Sequence, residues 1–98
     1  MDHRSIIATL QTHEAELRAL GVQRLGLFGS FARGDARTSS DIDLLSALDE
    51  SMQLSLLDII HIENHLSDIL GRKVDLVDEG SLDPRIRPAV QKTLVHAF

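Results

Sequence analysis

Between Ser51 and Leu70 the apolar side chains fall on one stripe: Met52, Leu56, Ile59, Ile62, Leu66 and Ile69. Spacings of three and four residues predict one long helix with a face that must be buried. Ser51 is the expected N-cap, Asp49 and Glu50 suit the positive helix start, and Gly71 is the expected C′ residue. A helix of this kind needs a second layer, and three short apolar runs can supply it. Leu25, Leu27 and Phe28 form a run cut off by Gly29-Ser30. Ile42, Leu44 and Leu45 form another, interrupted by Asp41 and Asp43, and Val74, Leu76 and Val77 form a third around Asp75. Each run reads as a strand. Ser5 to Leu20 predicts a helix through Ile6, Ile7, Leu10, Ala15, Leu17 and Leu20, with Gly21 as its stop. Gly34 to Ser40 predicts a loop, and a last helix opens at Pro84 or nearer Pro88. The element order predicts an α+β two-layer fold, a small mixed β-sheet backed by helices on one side.

With 98 residues there is room for one modest core, so residues 1–98 are expected to form a single domain. Apolar residues make up 43% and charged residues 26%, a composition that folds rather than staying disordered. The absence of cysteine excludes disulfide scaffolds, thiolate zinc sites, iron–sulfur clusters and a cysteine nucleophile. A net charge of -5, no Tyr or Trp and three Phe make direct nucleic-acid binding unexpected. No apolar stretch approaches the roughly 20 residues a bilayer requires. The start Met1-Asp2-His3-Arg4 lacks the basic-then-apolar order of an export signal, so no membrane association and a cytoplasmic location are expected. Five acids, Asp49, Glu50, Asp58, Glu63 and Asp68, lie within 49–70, which holds no Lys or Arg. Such a face is either simply solvated or a docking surface for a basic partner.

Chemistry concentrates in Gly29-Ser30-Phe31-Ala32-Arg33-Gly34-Asp35 and Ser40-Asp41-Ile42-Asp43-Leu44. Side chains alternate along a strand, so Asp41 and Asp43 project from one side, with Cα atoms roughly 6.5 Å apart. Asp75, between Val74 and Leu76, repeats the pattern. If the third strand lies near the second, three carboxylates share one patch. Ionised carboxylates repel at close range unless cations intervene. Oxygen-only ligands favour Mg²⁺ or Mn²⁺ over Zn²⁺, and two ions about 3.5–4 Å apart suit in-line phosphoryl displacement. Gly29 lets backbone approach a phosphate, Ser30 can add a donor, and Arg33 shares a helical face with Ser30.

These two segments resemble the signature of the minimal nucleotidyltransferases in the polymerase-β-like nucleotidyltransferase superfamily, over about residues 20–80. The resemblance implies a nucleotidyltransferase palm with a two-metal site of Asp41, Asp43 and Asp75. It places Gly29 and Ser30 on the triphosphate of ATP, while Arg33 can contact phosphate or pair with an aspartate. Asp75 matches the third carboxylate by context, in Lys73-Val74-Asp75-Leu76-Val77. Family members of this size resemble the antitoxin of a two-gene module that transfers AMP from ATP to a tyrosine of a HEPN-family ribonuclease toxin. Two other outcomes stay open: a non-catalytic module that neutralises the toxin by covering it, and nucleotidyl transfer to a small molecule.

Remaining candidates are weaker. His61 and His65 lie four apart on the long helix, but His61-Ile62-Glu63-Asn64-His65 is not the zincin pattern, and they read as solvent-facing. Ser30 lacks a Gly-x-Ser-x-Gly elbow or a neighbouring histidine, which argues against a hydrolase nucleophile. Arg72, Lys73, Arg85, Arg87 and Lys92 give the C-terminal third a mild basic character that reads as plain surface.

Overall fold

The computed structural model describes all of residues 1–98. Helix α1 (His3–Thr12) opens with a capping box in which Asp2 accepts from the Ser5 N–H and the Ser5 hydroxyl accepts from the Asp2 N–H. One helix over 5–20 is expected, but the chain breaks at His13 and resumes as α2 (Glu14–Ala19). The hydroxyls of Thr9 and Thr12 bond back to the Ser5 and Ala8 carbonyls, a competition that weakens and bends helices. Strand β1 (Val22–Phe28), helix α3 (Gly29–Arg33) and strand β2 (Ile42–Leu48) follow. Helix α4 (Leu56–Leu70), strand β3 (Val74–Asp78), helix α5 (Arg87–Thr93) and strand β4 (Val95–His96) complete the chain. Short 3₁₀ turns at Glu50–Met52 and Glu79–Ser81 precede α4 and α5. No helix is long and apolar enough to cross a membrane.

The strands run β3-β2-β1-β4 across one sheet. Pairs β1/β2 and β1/β4 are antiparallel, whereas β2/β3 is parallel, so the sheet is mixed. A parallel pair needs a crossover, and α4 provides it. Ile6, Leu10, Leu17, Ile62, Leu66 and Leu70 pack from α1, α2 and α4 onto Val22, Leu25, Leu27, Ile42, Leu44 and Val74 of the sheet. A bulge between Val22 and Arg24 lets Val22 and Leu25, three apart, enter the same core. The opposite face carries a smaller cluster of Leu45, Leu82 and Val90 with Phe28, Val77 and Leu94, so α5 shields part of it.

One further expectation changes, one open choice is settled and one strand is new. Helix α4 begins at Leu56, not Ser51, because Ser55 and Asp58 form a reciprocal capping box at 3.2 and 2.9 Å. Ser51 instead donates to the Asp49 carboxylate, which caps the Glu50–Met52 turn, and Gln53 at φ 51° ends it. Met52 and Leu56 therefore leave the buried stripe, which runs through Ile62, Leu66 and Leu70, with Ile59 and Ile69 half-buried. The last helix starts by Pro88 and not at Pro84. Strand β4 has no counterpart in the sequence pattern; two residues are too few for alternation to register.

Helix α4 also closes the outer edge of β3. The Leu76 N–H donates to Glu63 Oε2 at 2.8 Å and the Val74 N–H to Ser67 Oγ at 3.0 Å. Edge N–H groups are thus satisfied on both sides of Asp75. Glu63→Ala is expected to cost about 1–2 kcal/mol in urea denaturation, whereas Glu63→Gln, which keeps a carbonyl acceptor, should cost under about 1.

Candidate active site

Alternation along β2 sends Ile42 and Leu44 into the helix-covered core and Asp43 to the opposite face. Parallel pairing sets Asp43 beside Asp75, just as it sets Ile42 beside Val74 and Leu44 beside Leu76. Two carboxylates therefore leave one sheet face from strands about 4.8 Å apart. Asp41 lies just ahead of β2, with Lys73 Nζ 3.7 Å from its carboxylate in an exposed, weak ion pair. The Asp43 carboxyl is pushed above the ordinary carboxylate range, first by burial and then by repulsion from Asp75 and Asp41; Arg33 partly offsets this.

Strand β1 ends against the same residue, since Phe28 pairs with Asp43. The chain then enters α3 through Gly29 at φ 75°. A Cβ on Gly29 would lie 2.3 Å from Asp43 Oδ2, so the turn backbone sits directly against that carboxylate. Ser30 follows, half-buried, and Phe31 anchors α3 in the core. Arg33 donates from Nε to Asp35 at 3.1 Å rather than to Asp41 or Asp43, and acts on Asp43 through its charge.

As placed, Asp41, Asp43 and Asp75 do not close into a three-residue metal-ligand set. Two features nevertheless fit hard divalent cations. Burial and then the acidic neighbours Asp75 and Asp41 raise the proton affinity of Asp43, and a cation would relieve the repulsion between them. Bare glycine backbone leaves open the approach to Asp43 Oδ2 that any side chain would fill. Two cavities of about 460 and 470 Å³ open elsewhere on the molecule, and none of the three carboxylates lines either. Asp41 and Asp75 are exposed, and Asp43 is half-buried between them and the Gly29 turn.

Residues 5–95 match the family model described as Polymerase beta, Nucleotidyltransferase. The chain belongs to this nucleotidyltransferase family. The protein adenylyltransferase MntA of Thermococcus cleftensis is 40% identical to it over 92 residues, covering 93% of this chain and 91% of that one. A Methanocaldococcus jannaschii protein assigned as a protein adenylyltransferase is 37% identical over 89 residues, or 89% of either chain. A solved structure assigned as a minimal nucleotidyltransferase superposes with a TM-score of 0.80 at 37% identity, over 97% of this chain and 95% of that one. A Shewanella oneidensis complex of a tri-AMPylated HEPN toxin with an MNT antitoxin matches at a TM-score of 0.66 and 21% identity, over 94% and 71%. That last likeness is one of fold.

In this nucleotidyltransferase Arg72 is not the plain surface residue its sequence context suggests. It donates to the Thr38 carbonyl at 2.6 Å and the Ser40 carbonyl at 3.1 Å, and its guanidinium lies 5.2 Å over the Phe31 ring. One side chain thus ties the approach to Asp41 to the helix that follows Gly29. No local pattern marks it, because its partners lie more than 30 residues away. Arg72→Ala is expected to lower transfer by roughly 10- to 100-fold through misplaced carboxylates. Hydrogen exchange at residues 37–41 should accelerate in parallel, and Lys should rescue only in part because its ammonium cannot stack flat on the Phe31 ring.

Proposed function

We propose that this chain transfers AMP from ATP to a tyrosine hydroxyl of a HEPN-family partner and thereby acts as the antitoxin of a two-component module. The observation that carries the reading is Asp43 standing beside Asp75 in parallel register with the Gly29 turn pressed against it. Relatives named protein adenylyltransferase, at up to 40% identity over nearly the whole chain, support the transferred group. The exposure of Asp41 and Asp75 and the lack of any tyrosine in the chain favour an acceptor supplied by another protein.

Asp41 and Asp43 would hold two divalent ions, Mg²⁺ or Mn²⁺, and Asp75 one of them. When bound, such ions supply charge neutralisation at the triphosphate and a lowered pKa for the acceptor hydroxyl. Backbone at Gly29 and the hydroxyl of Ser30 would hold the β- and γ-phosphates, with Arg33 adding positive charge. The acceptor oxygen attacks the α-phosphorus, the bond to pyrophosphate breaks, and Asp75 helps take up the hydroxyl proton.

The test is to incubate the purified chain with labelled ATP, Mg²⁺ and the purified product of the adjacent gene. Label on a partner tyrosine, with release of pyrophosphate, is the expected result. Neutralisation of the partner without label would instead support a covering module. Label passing to a small hydroxyl compound with no protein partner would support the third reading.

A further inference from the structure

Building on that reading, we infer that the N-terminal half of α4 is the docking surface for the acceptor protein, which meets it with an apolar patch rimmed by Lys and Arg. Leu56 and Leu57 are 73% and 77% exposed, and Ile60 is 42% exposed. On a helix, residues 56 and 60 are neighbours at i,i+4 and residues 57 and 60 at i,i+3, so the three side chains form one continuous apolar patch. The buried side of α4, through Ile62, Leu66 and Leu70, faces elsewhere, so these residues contribute nothing to the core. A cluster of large exposed apolar side chains marks an interaction surface.

Charge selects the occupant. Asp58 lies within the same turn of α4, Glu50 is exposed in the 3₁₀ turn that precedes it, and residues 49–70 contain no Lys or Arg at all. A second copy of this chain would bring two acid-only helices face to face, whereas a basic-rimmed partner would be steered onto the patch. Position separates docking from chemistry. The far end of α4 lies beside Val74, next to Asp75, and a 15-residue helix is about 22 Å long. A partner held at Leu57 leaves the carboxylate face free to receive its hydroxyl.

The test uses the full chain and the purified product of the adjacent gene, with Leu56→Ser/Leu57→Ser and Glu50→Lys variants. Both sites are exposed, so the variants should melt like the parent. The double variant should weaken binding in calorimetry by about 30-fold, the size of one lost hot-spot anchor. Glu50→Lys should weaken it about 3- to 5-fold and flatten its salt dependence. In transfer assays both should raise the KM for the partner and leave kcat at saturation unchanged. Unchanged affinity in both variants would overturn the docking surface even if transfer proceeds. Loss of binding by the double variant would uphold it even if no transfer is seen. If the chain alone sediments as a dimer that the double variant dissociates, the patch belongs to a second copy and the inference fails.

Discussion

Asp43→Asn is expected to reduce nucleotidyl transfer at least about 10³-fold while leaving the affinity for the partner protein unchanged. Asp43 is the carboxylate that stands in register with Asp75, faces the Gly29 turn and feels the charge of Asp41. Removing its charge forfeits several kcal/mol of the electrostatic stabilisation that phosphoryl transfer depends on, and each 1.4 kcal/mol or so is tenfold in rate. Single-turnover assays with calorimetry on the partner decide the matter; a variant that still labels the partner at the parental rate would remove Asp43 from the chemistry. The same substitution carries a stability signature. Because the folded-state carboxyl is raised, the folded protein binds this proton more tightly than the unfolded chain does. Protonated Asp43 therefore supports the fold at acid pH, and that support is lost as the pH rises through the raised value. In metal-free buffer at pH 7, Asn should melt at or above the parental temperature, with the gap closing as the pH falls through the carboxylate range. A large loss of Tm would instead reveal a structural hydrogen-bonding role.

Gly29→Ala should cost both stability and activity. Its φ of 75° adds about 1–2 kcal/mol of backbone strain for any residue with a Cβ. That Cβ would sit 2.3 Å from Asp43 Oδ2, so either the turn or the carboxylate must move. Misplacement on the scale of 1 Å typically costs about 10²-fold in rate. Gly71→Ala is the control. Gly71 shares the left-handed backbone, at φ 67°, but a Cβ there meets nothing within 4 Å. Both variants should lose Tm, by roughly 4–8 °C for each kcal/mol in a domain this size. Only Gly29→Ala should lose transfer. Equal activity in the two would mean that the contact with Asp43 does not matter.

Strand β2 shows how far local pattern reaches. Alternation placed Ile42 and Leu44 against the helices and Asp43 away from them, and the core is built that way. The start of α4 shows where it stops. Ser51 and Ser55 are both acceptable N-caps, and the choice fell to Ser55 because Asp58 reciprocates while Ser51 is taken up by Asp49. Hydrophobic spacing could not separate these outcomes, since Met52 and Leu56 fit the stripe whether or not anything covers them. The same blindness hid the patch at Leu56, Leu57 and Ile60, whose exposure depends on what packs against α4.

The identity of β1, β2, β3 and α4, the Gly29-Ser30 turn and the outward setting of Asp43 and Asp75 follow from spacing along the chain, because side-chain periodicity and glycine's freedom are local properties. Which strand lies beside β2 is a long-range matter. Only the parallel crossover through α4 sets Asp75 next to Asp43, only the antiparallel return of β1 presses Gly29 onto the same carboxylate, and only the folded chain brings Arg72 to Thr38, Ser40 and Phe31. Those contacts join residues from 14 to more than 30 positions apart, and pairings at such separations are selected by the packing of the whole core.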